Sequence, residues 1–166
     1  MKAKVVDAVI RRALPGEAGL LSELALRSKA HWPYTLEFIA ACRPALTLSP
    51  DYVANSPVFI LEEARGDAPA RVAGFYGFDQ RLPESELVFL YVEPAAIGRG
   101  YGKRLWRHAV AQAQSRGVRS FTIAADPNSE PFYRAMVAVR IGEIPSEVDP
   151  RRLLPLLRYE VRSPVR

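Results

Sequence analysis

The sequence has little of the material that forms disulfides, metal centres or membrane spans. It contains one cysteine, Cys42, so an intramolecular disulfide and a cysteine-built zinc site are excluded, and we expect a buried thiol. With two histidines, His31 and His108, and no visible cluster of carboxylates, we expect no metal. No run of about 18 apolar residues occurs, which predicts a soluble protein rather than one that spans a membrane.

Charge of one sign is not concentrated anywhere in the sequence. The net charge of +5 comes from 23 Lys and Arg against 18 Asp and Glu, and the basic residues are spread along the chain. Nucleic-acid binding would need clustered basic residues with interleaved aromatics, so neither nucleic acid nor a membrane is an expected partner. The first four residues, Met1–Lys4, are basic, but Asp7 and Arg11–Arg12 interrupt the apolar stretch that follows them. This pattern is unlike that of a signal peptide, which has a continuous apolar segment. We therefore expect a cytoplasmic protein.

What is present is the composition of a folded chain, with 49% apolar and 25% charged residues. Its 166 residues predict a single domain, 1–166, with a substantial core. Apolar periodicity predicts an α/β (α+β) fold in the order β-α-α-β-β-β-α-β-α-β-β, a mixed sheet with helices on both faces. The predicted strands are 5–14, 58–63, 71–79, 86–92, 120–125, 137–144 and 156–161, and the predicted helices are 17–31, 36–42, 98–116 and 129–136, with a short helical turn at 49–51. In the helix 17–31, the spacing places Leu20, Leu21 and Leu24 on an apolar face and Arg27 and Lys29 on the polar face.

One loop carries the clearest chemical signal, the segment Gly98-Arg99-Gly100-Tyr101-Gly102-Lys103 after the strand 86–92. Glycines permit positive φ and the close approach of a ligand. The first turn of a helix also offers unpaired N–H groups and a positive dipole end to an anion. A Walker loop needs Ser or Thr after its lysine, whereas Arg104 follows Lys103, and the dinucleotide spacing G-x-G-x-x-G is not met. The segment therefore predicts a phosphate-binding loop, with a turn that binds no ligand as the alternative.

These residues resemble the GNAT superfamily of N-acetyltransferases, whose signature is [Q/R]-x-x-G-x-[G/A] at the start of the helix after the fourth strand. The segment Ile97–Gly102 matches it except at Ile97, where the family usually has Gln or Arg, and the predicted element order matches as well. The resemblance implies a mostly antiparallel, seven-stranded sheet and acetyl-CoA as cosubstrate, without a metal. It further implies a pyrophosphate held by the backbone amides of Gly98, Arg99, Gly100, Tyr101, Gly102 and Lys103, and a pantetheine arm paired with Leu90, Tyr91 and Val92.

A second group of candidates, Asp126–Tyr133, follows the predicted strand 120–125. In the family that it resembles, an Asn here contacts pantetheine, which assigns Asp126 and Asn128 to cofactor binding, with helix capping as the alternative. By the same resemblance, Tyr133 protonates the departing thiolate; the alternative is a core tyrosine. Family helices here often end in Gly, but Val137 takes that place, so we expect a different helix end or a strained residue.

The acceptor side is less well defined by the sequence. An amine must lose a proton before it attacks a thioester. Glu86, with Glu84 behind it, is the candidate base, and an exposed strand-end glutamate is the alternative. The acceptor pocket of the family lies near the first two helices, and the candidates there, whose alternatives are core or turn roles, are His31, Trp32, Tyr34 and Tyr76.

The sequence and the resemblance together predict an N-acetyltransferase. It would move the acetyl group of acetyl-CoA to a primary amine of a small-molecule or peptide acceptor by direct attack. A non-catalytic acyl-CoA-binding or regulatory module is the alternative, and a homodimer is left open. The acceptor itself and the acyl preference are not specified by the sequence.

Overall fold

A computed structural model describes residues 7–79 and 84–162, and in these ranges one sheet is covered by helices on both faces. Its strands are β1 (Ala8–Arg12), β2 (Val58–Arg65), β3 (Ala68–Asp79), β4 (Ser85–Val92), β5 (Ser120–Ala124), β6 (Val139–Pro145) and β7 (Leu153–Glu160). Its helices are α1 (Ala18–Ala30), α2 (Leu36–Cys42), α3 (Pro50–Asn55), α4 (Tyr101–Ser115) and α5 (Glu130–Ala135). The helical turn predicted at 49–51 is the start of α3.

The strands form one sheet in the order β1-β2-β3-β4-β5-β7-β6. Every neighbouring pair is antiparallel except β4 and β5, which run parallel. The predicted fold class, a mixed and mostly antiparallel seven-stranded sheet with helices on both faces, is therefore confirmed. None of the helices within residues 7–79 and 84–162 has the length and apolar character that a bilayer crossing requires.

The core consists of two apolar layers, one on each face of the sheet. Helix α4 supplies one layer because Leu105, Ala109 and Ala113 recur every four residues and are at most 2% exposed. Helix α1 supplies the other layer, through the fully buried Leu21 and Leu24 among others. Because α4 packs on β3 and β4 while α1 packs on β4, the two helices hold β4 from both sides.

Helix α1 differs from its predicted amphipathic pattern at both faces. Leu20, expected on the buried face, is half exposed, and Leu26 is buried instead. Lys29, expected on the polar face, has a side chain only 12% exposed. The reason is that α2 and the chain after it cover α1 in addition to the sheet, so its buried surface is wider than one stripe.

Strands β4 and β5 separate because of an irregularity in β4. The register between β3 and β4 shifts between Gly77 and Phe78, which leaves Val88 as an extra residue in β4. Such a bulge bends the strand and disrupts its pairing. On its other side, β4 pairs with β5 only at Ser85 and Glu86. The strands therefore diverge after residue 86 and leave a gap between the end of β4 and the end of β5.

Three element boundaries differ from the prediction for local reasons. Helix α4 begins at Tyr101 rather than 98 because Gly98 and Gly100 have φ of +89° and +79°, outside the helical region. Strand β3 begins earlier than predicted because a turn at Gly66, with φ +64°, closes the hairpin. Strand β1 covers only Ala8–Arg12 of the predicted 5–14, whose residues 5 and 6 lie outside the described residues.

Helix α5 ends on a strained residue. Val137 has φ +71°, the one positive φ of a non-glycine residue in the described ranges. The Ala138 N–H donates to the Tyr133 carbonyl and the Val137 N–H to the Arg134 carbonyl, at 3.0 Å each, as in a Schellman motif. The same motif ends α4, where Gly117 has φ +73°. Of the two expected outcomes, the helix ends at the usual place, and Val137 adopts the left-handed conformation that is costly for a β-branched residue.

Replacing Val137 by Gly should raise the free energy of unfolding by about 1 kcal/mol. A left-handed conformation costs an L-residue roughly 1–2 kcal/mol, and the greater chain entropy of glycine in the unfolded state offsets about half of that gain. Val137 is 65% exposed, so little packing is lost. Thermal unfolding should show a Tm increase of about 2–4 °C. The matched control, Val139→Gly, alters an exposed residue inside β6 and should lower the Tm. An unchanged or lower Tm for Val137→Gly would show that Val137 is not strained.

Candidate functional site

The gap between β4 and β5 opens into two cavities, each named here for one lining residue. The Arg152 cavity, of about 200 Å³, is lined by residues of α1, of the segment after α2, of β4 and of the β6–β7 connection. The Trp32 cavity, of about 120 Å³, lies between the end of β4 and the loop after α1. Tyr91, Lys29 and Asp126 line both cavities, so the two meet at these three side chains.

The loop before α4 presents a row of backbone N–H groups that have no partner among the described residues. The first hydrogen bond of the helix runs from the Arg104 N–H to the Gly100 carbonyl, at 3.2 Å. The N–H groups of 98–103 donate no hydrogen bond to any described residue. A Cβ placed on Gly98 or Gly100 would meet no atom within 4 Å, so the loop faces open space. Free donors at the positive end of a helix fit a pyrophosphate.

Two other glycines permit close packing around β4. A Cβ on Gly74 would lie 2.9 Å from both the Tyr91 carbonyl oxygen and Leu105 Cδ1, so α4 rests on the sheet above a residue without a side chain. A Cβ on Gly102 would lie 3.4 Å from the ring of Phe132. The start of α4 therefore approaches both β4 and α5 closely, which places the loop at the mouth of the gap.

The side chain of Arg99 is directed to β2. Its guanidinium pairs with Glu63, whose side chain is 3% exposed, and Tyr101 Oη and Arg71 Nη2 donate to the same carboxylate at 2.5 Å and 2.6 Å. Burial acts to raise the pKa of Glu63, but these donors outweigh it and lower that pKa. Glu63 therefore anchors the loop to β2 and keeps its charge. The Arg99 side chain is thus engaged by Glu63, while the Arg99 N–H belongs to the row of N–H groups that donate to no described residue.

The N–H groups of Leu90 and Val92 face the gap. The Glu93 N–H donates to the Ala73 carbonyl at 2.8 Å, and alternate residues of an antiparallel strand donate to the same neighbour. Val92 and Leu90 therefore donate away from β3, toward the side where β5 has already diverged. An extended ligand could bind along this edge as an added strand does.

Asp126, just after β5, joins four segments of the chain. Its Oδ2 accepts from Lys29 Nζ at 2.7 Å, from Tyr34 Oη at 2.7 Å and from Arg152 Nη2 at 3.3 Å. Its Oδ1 accepts from the Asn128 N–H at 2.8 Å. Burial acts to raise the pKa of Asp126, but Lys29 and the other donors outweigh it and lower that pKa to about 2. Asp126 is therefore an ionised carboxylate at the meeting point of the two cavities.

Two tyrosine hydroxyls lie near this meeting point. Tyr133 is 6% exposed and packs on Trp106, with 5.8 Å between ring centroids, and burial followed by its neighbours Tyr91 and Asp126 raises its pKa. Its hydroxyl makes no hydrogen bond to a described residue. The pKa of Tyr91 is raised as well, chiefly by burial. Both hydroxyls therefore stay protonated, as a proton donor requires.

Of the two candidate bases, Glu86 is the better placed. It lines the Arg152 cavity together with Val88 of the bulge, whereas Glu84 is exposed and lines neither cavity. A carboxylate at the cavity wall can accept a proton from a bound amine. Within residues 7–79 and 84–162, no three His, Cys, Asp or Glu side chains are grouped so that they could hold a metal ion.

The aromatic candidates for the acceptor side fall in different places. His31 and Trp32 line the Trp32 cavity, on the same side as the open edge of β4. Tyr34 joins the Asp126 cluster, where burial and its hydrogen bond to Asp126 raise its pKa to about 12. Asn128 is exposed and contacts Tyr34 and Asp126 rather than either cavity.

The assignment of Tyr76 to the acceptor side is wrong. Tyr76 is fully buried, its hydroxyl bonds His108 Nδ1 at 2.7 Å, and its ring stacks on Phe59 at 5.5 Å. Strand alternation directs it to the face covered by α4, opposite to Phe75, which packs under α1. Tyr76 is therefore a core residue of the opposite layer.

Sequence reasoning missed three charged residues that shape the site, namely Lys29, Glu63 and Arg152. Each ends or follows a predicted element and looks like an ordinary surface charge in the sequence. A signal for Glu63 existed in the alternation of β2, where it falls on an inward-facing position. Lys29 and Arg152 carry no local signal, because their partner Asp126 is far away in the sequence.

A pocket of about 460 Å³ lies elsewhere, on the outer side of β6 and β7. Its walls include the exposed Val137, Val139 and Ile141 at the sheet edge. None of the candidate catalytic or cofactor residues lines it. Its volume exceeds that of either cavity in the gap, but its lining gives no reason to consider it a candidate active site.

Several solved structures share this fold, and two of them are named as N-acetyltransferases. The PaiA N-acetyltransferase of Thermoplasma acidophilum, in complex with coenzyme A, has a TM-score of 0.71 at 16% identity, over 93% of this chain and 99% of that one. The ribosomal-protein-S18-alanine N-acetyltransferase of Escherichia coli has a TM-score of 0.66 at 15% identity, over 96% and 97% of the two chains. The protein yncA of Salmonella typhimurium, with its cofactor acetyl-CoA, has a TM-score of 0.63 at 14% identity, over 96% and 97% of the two chains.

The family itself is identified by sequence. Among curated proteins, none matches this chain. The model of the acetyltransferase (GNAT) family matches residues 25–136, a range that contains α4, the loop before it and the strands on both sides of the gap. That range is more than half of the chain, and the resemblance seen in the loop is confirmed. The chain therefore belongs to the acetyltransferase (GNAT) family of enzymes.

Proposed function

We propose that this chain, residues 1–166, is one N-acetyltransferase domain that moves the acetyl group of acetyl-CoA to a primary amine by direct attack. The observation that carries the proposal is the row of N–H groups at 98–103, which donate to no residue in 7–79 or 84–162 and lie beside the gap between β4 and β5. These donors suit a pyrophosphate, and the open edge of β4 suits an extended arm. The family and the coenzyme A bound by PaiA support the same cosubstrate. A small-molecule or peptide acceptor, a cytoplasmic location and a homodimer stay predictions.

The two cavities suggest where each substrate binds. The Trp32 cavity includes Leu90, Val92 and Ile97, so it continues from the phosphate loop and suits the arm of the cosubstrate. The Arg152 cavity includes Glu86, so it suits the amine that must lose a proton. His31 and Trp32 would then contact the cosubstrate, not the acceptor as the sequence predicts.

In the proposed reaction, two side chains near the gap transfer protons, and one backbone N–H stabilises negative charge. Glu86 takes one proton from the bound ammonium group before the nitrogen bonds the acetyl carbon and a second one afterwards, and it passes each to solvent. The Val92 N–H stabilises negative charge on the acyl oxygen. As the carbon–sulfur bond breaks, Tyr133 gives its proton to the leaving thiolate and regains one from solvent. The products are an N-acetylated amine and coenzyme A.

The test combines binding with turnover. Coenzyme A at about a hundredfold its Kd should add about 2.7 kcal/mol of stability, a Tm increase of about 5–10 °C for a chain of this size. Acetyl-CoA turnover, read as free thiol, should then follow with members of a panel of polyamines, aminoglycosides, amino acids and peptides. Binding without turnover of any amine would favour the regulatory module. No Tm increase with coenzyme A would overturn the proposal.

A further inference from the structure

One wall of the Arg152 cavity carries two positively charged side chains and one negatively charged side chain, which lie close together. Lys29 and Arg152 both direct their side chains to Asp126, with N–O distances of 2.7 Å and 3.3 Å. The three side chains are 12%, 21% and 10% exposed, so this is a largely buried group of two cations and one carboxylate. One positive charge in the group is therefore left without a matching negative charge.

The donors of the two cations are only partly used. Within the described residues, Lys29 Nζ donates one hydrogen bond, to Asp126, out of the three it can make. Arg152 donates to Tyr34 and Asp126 through Nη2 alone, which leaves Nε and Nη1 without an acceptor among the described residues. Asp126 cannot serve them, because its other oxygen accepts twice from Asn128. Unused donors thus remain on both cations that line the cavity.

The geometry of Arg152 is fixed by its surroundings. Its guanidinium lies over the rings of Tyr34 and Phe38, 5.1 Å and 5.0 Å from their centroids. Such contacts hold the planar group in place. The unused Nε–H and Nη1–H groups lie on different edges of the planar group, so each can donate one charge-assisted hydrogen bond to a bound carboxylate. The site is therefore prepared for a carboxylate.

The other walls of the same cavity suit an amine. Glu86 and Glu147 line it as well, and a carboxylate can hold an ammonium group or take its proton. A cavity of about 200 Å³ is small, below the roughly 300–1,000 Å³ of drug-sized ligand pockets. Positive charge on one wall and carboxylates on the others match a compact molecule that carries both groups.

We propose that the acceptor is a small amine that also carries a carboxylate, of the amino acid class, and that Arg152 and Lys29 bind this carboxylate. The proposal rests on the proposed acetyl transfer and specifies its substrate class. Arg152 is then a specificity-determining residue, which distinguishes a carboxylate from its neutral analogue.

The first test compares matched acceptors. The wild-type protein is supplied with acetyl-CoA and each common amino acid beside its carboxamide, and kcat/KM is measured from free thiol. At least one amino acid should exceed its carboxamide by tenfold or more. The amine of a carboxamide is less basic and so more often deprotonated, which makes the comparison a strict one. Carboxamides that react as fast as the acids, or faster, would overturn the inference.

The second test uses variants of two adjacent arginines. Arg152→Met removes the guanidinium and should lower the acid-to-carboxamide ratio of kcat/KM at least tenfold, while Arg152→Lys should retain part of the ratio. The control, Arg151→Met, alters a residue that is 91% exposed and pairs with Asp149, and should keep the wild-type ratio. A wild-type ratio in Arg152→Met would overturn the inference.

A binding measurement separates failure of the inference from failure of the proposed function. Each variant is first checked for the Tm increase on addition of coenzyme A, which shows that it is folded and that the cosubstrate side is intact. If the protein acetylates carboxamides but not the matching acids, the proposed acceptor class is wrong, while the proposed acetyl transfer still holds. No turnover of any amine overturns acetyl transfer and the inference together.

Discussion

Tyr133→Phe should lower kcat about a hundredfold and leave the KM for acetyl-CoA almost unchanged. Loss of a positioned general acid typically costs a factor of 10²–10⁴ in rate. The Tyr133 hydroxyl has no hydrogen bond to a described residue, so its removal should cost little stability. The cosubstrate would still bind through the backbone of the 98–103 loop. Steady-state turnover at saturating acetyl-CoA, read as free thiol, measures the effect.

Two further variants make this result specific. Tyr159→Phe is the matched control, because Tyr159 contacts the same Trp106, at 5.1 Å between centroids, but belongs to β7 and lines neither cavity of the gap. It should keep the wild-type kcat. Tyr91→Phe tests the neighbouring hydroxyl, which lines both cavities. If Tyr91→Phe loses turnover and Tyr133→Phe does not, the proton donor is Tyr91 and the assignment of Tyr133 is wrong.

The loop proposed to bind the cosubstrate could be predicted from the sequence, because its shape depends on local backbone geometry. Gly98 and Gly100 adopt positive φ, and the unpartnered N–H groups follow from the start of a helix, whatever the side chains are. The gap itself could not be predicted. It depends on the bulge at Val88, and no glycine, proline or break in the apolar run marks that position.

The acceptor half depends on contacts between distant segments. Lys29 and Asp126 are 97 positions apart, and Tyr34 and Arg152 are 118 apart, so no periodic pattern links them. Single-sequence periodicity reports which face of an element is apolar, and it placed Lys29 on the solvent side. An ion pair between distant segments can be recognised only in the folded structure, which brings its two members together. For the same reason Tyr76 was assigned to the wrong layer, since alternation alone does not say which face of the sheet meets α1.

Gly100→Ala should raise the Kd for coenzyme A about thirtyfold. Gly100 has φ +79°, which an alanine adopts only at a cost of roughly 1–2 kcal/mol. Relief of that strain would rotate the adjoining peptide groups and misdirect an N–H that faces the pyrophosphate. A hydrogen bond to a charged group contributes about 1.5–3 kcal/mol, and 1.4 kcal/mol is a factor of ten in Kd. Isothermal titration of coenzyme A measures the change directly.

The same helix provides a matched control at its other end. Gly117 has φ +73°, and a Cβ there, as at Gly100, would meet no atom within 4 Å. Gly117→Ala should therefore lose a similar amount of stability while it binds coenzyme A with the wild-type Kd. Equal loss of affinity in both variants would mean that strain in α4, not the loop, controls binding. If Gly100→Ala binds coenzyme A with the wild-type Kd, the orientation of the N–H groups in the loop does not affect binding. The loop would then not be the pyrophosphate site.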